Sequence, residues 1–441
     1  GTGYYKDCYY YLGDKECRSK FIQEALINLL LDKEDEFEMK ILLTEKAKRD
    51  NFDINDKRPN NLKEVLGKLN IKPELILIPE GKTDEELWGI FEQTINSIDD
   101  NSEIILDITH SLRNIPIQVL VALNYLKLFK NINLDSIYYG AFELGEDMDD
   151  ILIKGEKIRK APICNLNIYY ELLNWTNAIN SFMHTGNSSQ ILNLYNDIYK
   201  EKNAIIFKQG TKDEKSNLAT LKKVVEGLNN FTQCINTCRG LDGNHISKNI
   251  NLKSISSAAN TLYKNLNALN DNLTFAPLKY LFNIVKEIIT PFVDKSAFEI
   301  GMETVNWCIK YNLYQQGFTA LDESLKTFIC DKLNYSEHNY KKYYRENIAN
   351  TILVGLNINL DDLRILANND DDILTIKNAI YTLKENTTFC NLVSKIKEKR
   401  NDINHFGYKD SSVTDYNTLS HNLQEYYNKF LNIKDHIVLY S

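Results

Sequence analysis

In the first third of the chain, short continuous apolar runs alternate with stretches whose apolar residues recur at helical spacing. The runs are Glu38–Thr44, Glu74–Ile78, Glu103–Ile108 and Asp135–Phe142; the helical stretches are Phe21–Leu31, Asn61–Leu69, Thr83–Ile98 and Ile115–Phe129. Thr83 with Glu86 three residues on reads as a capping box, and Pro116 suits a first helical turn. Tyr9, Tyr10 and Tyr11 predict a strand that turns at Gly13-Asp14 into a hairpin. Strands that alternate with helices predict a parallel α/β sheet covered on both faces, and the apolar character of the runs agrees with that burial. From Leu166 onward the spacing is helical: Leu166–Phe182, Ile191–Ile198, Leu218–Leu228, Phe231–Cys238, Ser254–Leu269, Leu278–Ile289, Thr304–Lys332, Arg345–Leu353, Asp361–Leu366, Ile376–Lys399 and Tyr416–Leu431. The expected organisation is a sheet domain over residues 1–165, a helical connector over 166–300 and an α-helical domain over 301–441.

Length agrees with this division, since 441 residues suit two or three domains at roughly 150 each. A net charge of −8 argues against a broadly basic nucleic-acid surface but permits a local basic groove. The 8 cysteines are scattered, and Cys234 and Cys238 lack a second pair or a histidine cluster, so buried core roles are expected rather than zinc. Such cysteines, without a signal peptide, fit a reducing cytosol, and a cytoplasmic location is expected. No apolar run is long enough to span a bilayer. His184 and His245 stand alone in expected turns, where a site would need partners. Asp370-Asp371-Asp372 is read as the acidic start of a helix rather than a metal site, because adjacent carboxylates do not converge on one ion.

Ligands of such sheets bind at the carboxyl ends of the strands. The loop there that stands out is Asp107-Ile108-Thr109-His110-Ser111-Leu112-Arg113-Asn114, which follows a strand and opens a helix. Thr109 and Ser111 bring hydroxyls, His110 and Arg113 charged donors, and the helix N-terminus unpaired N–H groups. Together they suit an anion or nucleotide. The plainer alternative is that Ser111 caps the helix while His110 and Arg113 are solvated. At the chain start, Gly1-Thr2-Gly3 forms a tight turn whose N–H groups can face a phosphate.

The second chemical signal is Arg400-Asn401-Asp402-Ile403-Asn404-His405. Five positions span about 1.4 helical turns, so the arginine and histidine are near neighbours without stacking. Arg400 can bind phosphate charge and His405 can move a proton. They could also meet the same two residues of a second copy across a two-fold axis. The spacing alone also fits a solvated helix end with His405 capping or paired to Asp402.

The Asp-x-Thr-His-x-x-Arg-Asn-x-Pro run of residues 107–116 resembles the CARF domain (CRISPR-associated Rossmann fold) of type III CRISPR ancillary ribonucleases. Gly1-Thr2-Gly3 resembles that family's first βα loop, which a strand normally precedes. No strand precedes Gly1 here: either the chain was trimmed or the central strand is missing. Without it, a weakened sheet and an incomplete ligand site are expected. Ser111 stands where the family usually has glycine. Leu166–Asn187 resembles the linker helix that follows such domains. The Arg-Asn-x-x-x-His end, on a helical domain, resembles the HEPN ribonuclease domain.

The resemblance implies a Rossmann-like sheet, then helical connector and HEPN domains, in a homodimer. Its CARF domains would bind one cyclic oligoadenylate through Gly1, Thr2, Gly3, Thr109, His110, Ser111, Arg113 and Asn114. Tetra-adenylate is the favoured ring and hexa-adenylate the rival. Single-stranded RNA, not DNA, would be cut at a composite site of Arg400, Asn401 and His405 by attack of the 2′-hydroxyl, without a metal. Two alternatives remain: a regulator that binds cyclic oligoadenylate without catalysis, and a ring nuclease that degrades its own activator.

Overall fold

The computed structural model describes residues 5–441 apart from 33, 54–59, 111–113, 154–155, 241–252, 270–275, 339–340, 409–413 and 440–441. The chain divides into two compact units, Gly1–Glu171 and Leu172–Ser441.

In the first unit the expected hairpin forms. Strands β1 (Cys8–Leu12) and β2 (Lys15–Ser19) pair antiparallel around Gly13, whose φ of 59° is the left-handed value that glycine adopts without cost. Helix α1 (Ile22–Leu30) follows, then β3 (Lys40–Leu43), the single turn α2 (Glu45–Ala47), α3 (Leu62–Lys68) and β4 (Glu74–Leu77). Next come α4 (Asp84–Ser97), β5 (Glu103–Asp107), α5 (Ile115–Leu126) and β6 (Asn133–Gly140). Thr83 caps α4 by accepting from Glu86 N–H; the Glu86 carboxylate turns back to Lys82 N–H at 2.7 Å.

Two further strands, β7 (Glu146–Ile153) and β8 (Glu156–Asn165), form a hairpin that the apolar pattern does not announce. Charged residues interrupt both strands, so neither reads as a buried run. Strand β8 is nevertheless central, lying between β6 and β1 in the order β2-β1-β8-β6-β5. Pairing is parallel for β5–β6, β1–β8 and β3–β4 and antiparallel elsewhere, so the Rossmann-like sheet is mixed. Gly140 lets β6 end close under α1: a Cβ there would lie 2.6 Å from Ile22 Cδ1.

Among the described residues, β3 pairs only with β4 and β5 only with β6. A cavity of about 830 Å³ is lined by residues of both β3 and β5, with α1 and α5 contributing Leu26, Leu30, Val119 and Leu123.

The second unit is helical, and the unit boundary falls inside α6 (Asn167–Thr185). Helices α7 (Ser189–Gln209), α8 (Lys212–Asn236), α9 (Ile255–Asn267), α10 (Ala276–Ile289) and α11 (Ala297–Lys310) continue the chain. They build one apolar cluster around Phe182, Phe231, Phe292 and Trp307, whose rings meet at 5.0–6.1 Å. Each such ring contributes about 1.5–3 kcal/mol by leaving water.

Thr304–Lys332 is not one helix. Asn312 takes a left-handed φ of 59° after α11, and Leu313 N–H closes the turn on Cys308 O at 2.8 Å before α12 (Tyr314–Lys332) begins. A π-helical stretch Tyr343–Asn350 leads into α13 (Thr351–Gly355). Then come α14 (Asp370–Lys384), α15 (Thr387–Asn404) and α16 (Tyr416–Ile433). Asn369 caps α14 by accepting from Asp372 N–H, so the three aspartates occupy its first turn, where the dipole favours them. These helices enclose a second cluster with Phe328, Phe389 and Phe430 at its centre, against which Phe298 of α11 packs. No described helix is long and apolar enough to cross a membrane.

Candidate functional site

In the first unit the candidate site lies where β5 ends. Asp107 terminates the strand and receives Thr109 N–H at 2.9 Å and the Gln23 amide at 2.6 Å. Desolvation raises its carboxyl above the ordinary range, against these hydrogen bonds. The Thr109 hydroxyl accepts from Gly140 N–H at 2.7 Å and thereby ties the loop to the end of β6. His110 lies against Tyr5, with ring centroids 4.2 Å apart. Asn114 is the residue before α5, in helical conformation, and its side chain caps nothing. Thr109, His110 and Asn114 are thus placed at one strand end; Gly1, Thr2, Gly3, Ser111 and Arg113 lie outside the described residues.

Burial pushes His110 down to about 4, so at neutral pH it offers hydrogen bonding rather than the charge expected of it. The sign follows. An unfolded His110 takes up its proton below about 6.5, the folded one only near 4, so stability present above 6.5 is lost as pH falls toward 4. His110→Asn should flatten the fall in melting temperature between those two pH values; an unchanged slope would assign the acid sensitivity elsewhere.

In the second unit the candidate catalytic residues stand at the end of α15. Arg400 sits on its last turn with 34% of its side chain exposed, and Asn401 is exposed. His405 is the C-cap, exposed, its N–H bound to Asn401 O at 2.9 Å. Asp402 is buried and accepts Thr414 N–H at 3.0 Å, which fastens the chain entering α16.

The helix closes in a Schellman turn. Phe406 N–H reaches Ile403 O at 3.1 Å, and Gly407 N–H reaches Asp402 O at 3.0 Å. The left-handed position is filled by Phe406, with φ of 57°, where glycine would be free of strain. A side chain there costs about 1–2 kcal/mol.

Sequence reading missed the acidic partner of Arg400. Asp322 on α12 is 3% exposed, and its Oδ2 lies 3.9 Å from Arg400 Nε, an ionic contact too long for a hydrogen bond. Burial raises the Asp322 carboxyl, while Lys326, Lys397 and Arg400 pull it back. Burial also lowers Lys397, one turn before Arg400. Around them Lys326 bridges Glu323 and Glu346 at 2.8 and 3.0 Å, and Arg345 holds Glu323 at 2.7 Å. The available signal was a carboxylate at a core-facing position, directly after Leu321 and between the buried Phe318 and Leu325.

Residues 1–143 match the family model described as the CARF domain of the CRISPR system endoribonuclease Csx1. Residues 1–143 are thus similar to a CARF domain. It is similar to the CRISPR-associated protein MJ1674 of Methanocaldococcus jannaschii, 26% identical over 300 residues. That likeness covers 65% of this chain and 40% of the relative, so the chain matches less than half of the relative's length. The aligned stretch is longer than the first unit and therefore extends beyond the CARF domain into the helical unit.

Proposed function

We propose that the protein is a ribonuclease switched on by cyclic oligoadenylate, acting as a homodimer in type III CRISPR antiviral defence. The observation that carries the reading is one chain bearing both a CARF-like domain and a helix end that carries Arg400 and the exposed His405, with the buried Asp322 in ionic contact with the arginine. The CARF domain supplies the expectation of a cyclic oligoadenylate, held at the end of β5 by Thr109, His110 and Asn114 with Gly1, Thr2, Gly3, Ser111 and Arg113. The helical unit is read as connector and HEPN-like domain, and two copies bring their Arg400–His405 pairs into one site.

The chemistry needs no metal. The ribose 2′-hydroxyl attacks the adjacent phosphorus, His405 transfers a proton, and Arg400 neutralises charge gathering on the phosphate oxygens. The products are a 2′,3′-cyclic phosphate and a 5′-hydroxyl end. Asn401 hydrogen-bonds and orients one of the two groups.

The test is cleavage of a fluorogenic single-stranded RNA in EDTA, with and without cyclic tetra- or hexa-adenylate. Cleavage that requires one ring size and an intact His405 supports the reading; binding of a ring without turnover at high protein concentration would replace it with a non-catalytic regulator. Chromatography of the ring after incubation reveals a ring nuclease. Arg113→Ala should raise the half-maximal activator concentration by about tenfold or more, as loss of a charge-assisted hydrogen bond predicts, with the plateau rate unchanged. An unmoved midpoint removes Arg113 from the ligand site.

A further inference from the structure

Immediately after His405 the chain displays two aromatic rings. Phe406 is 88% exposed and Tyr408 is 84% exposed, the two highest values among the described large apolar side chains. Neither the core nor the backbone accounts for Phe406. It is outside the apolar cluster of the helical unit, and it occupies the left-handed position of the Schellman turn, where glycine is preferred. The apolar contact that often accompanies this turn is not made by Phe406, because the two positions that would make it are Gly407 and Asp402. An exposed ring held in an unfavourable conformation points to a task outside folding.

The geometry suggests the task. The two rings lie 25° from parallel with centroids 6.4 Å apart. Two exposed rings that are nearly parallel and this close offer faces on which a planar base can stack. The turn is fixed by three backbone hydrogen bonds, including Tyr408 N–H to His405 O at 3.0 Å, so both rings are set within a few residues of the histidine. Arg400, on the preceding turn and 34% exposed, supplies positive charge for the phosphates that flank such a base.

We propose that Phe406 and Tyr408 form a stacking platform for a base of single-stranded RNA beside the scissile phosphate. The proposal rests on the ribonuclease reading and adds substrate-binding residues to it. Stacking accepts any base, so the platform gives affinity and register rather than strong sequence preference.

The experiment separates the two ideas. Single-stranded RNA carrying 2-aminopurine is titrated into full-length His405→Ala protein, where quenching reports stacking without turnover. Steady-state cleavage is measured in parallel with His405 intact. Phe406→Leu and Tyr408→Leu should each weaken binding and raise KM on the order of tenfold, with a much smaller change in kcat. Phe406→Trp should restore both. Phe406→Gly should melt at higher temperature than the parent yet bind RNA as weakly as Phe406→Leu, which a purely structural role would not produce. Cleavage with no quenching and an unchanged KM in the leucine variants overturns the platform. So do leucine variants that keep full binding while alanine variants lose it together with the dimer in light scattering; the rings would then be packing against a second copy. Quenching without any cleavage by the parent would leave the platform standing and remove the ribonuclease reading.

Discussion

His405→Ala should lower RNA cleavage by about 10²–10⁴-fold, the usual worth of a positioned proton-transfer group, while activator binding and melting temperature stay unchanged. The exposed setting of His405 makes the test clean. It is the C-cap residue of α15 through its backbone N–H, its side chain is exposed, and the turn beyond it is held by backbone groups and by Asp402. Alanine therefore removes an imidazole without opening the core. Activity is measured on single-stranded RNA with saturating activator, binding by titration with the ring alone. A variant that cleaves at the parent rate would leave Arg400 without its proton-transfer partner and end the proposed mechanism.

The second large effect lies beneath the surface. Asp322→Ala should destabilise the helical unit by about 3 kcal/mol, the lower end of the range for breaking a buried ion pair. The lower end applies because the Arg400 side chain is itself 34% exposed and recovers part of its hydration. Lys397 recovers less, since burial already lowers it and Asp322 is the first of the charges that hold it protonated. Denaturant unfolding with an unchanged slope measures the loss. Asp322→Asn keeps the shape and should lose less stability, but it removes the charge that faces Arg400. If Asp322→Asn retains both full stability and full cleavage, the carboxylate does not anchor the arginine.

Much of the first unit could be read from its apolar runs, as at Lys40–Leu43 and Glu103–Asp107, although these two strands are only partly buried and Ile105 is exposed. The β7–β8 hairpin escaped that reading. Residues such as Arg159 and Lys160 on β8 pair with Asp147 and Glu16 near solvent, so the strand carries charge although Ala161 and Ile163 are buried. In the helical unit most helices were legible and their ends were not; the expected helix Asp361–Leu366 is only a 3-10 turn, Leu360–Asp362, followed by extended chain. The break at Asn312 depends on one left-handed residue, which a periodic pattern steps over. The Arg400–His405 spacing was visible because it is local. Asp322 was not, because a buried carboxylate is recognisable only once the packing of α12 on α15 brings a cation 78 positions away into reach.

The cavity between β3 and β5 bears on solvent exchange. In a strand, alternate amides point to opposite edges, so half of those in Lys40–Leu43 and Glu103–Asp107 face the cavity and have no ladder partner among the described residues. Their deuterium uptake should outrun that of β6, which is paired on both sides by β5 and β8.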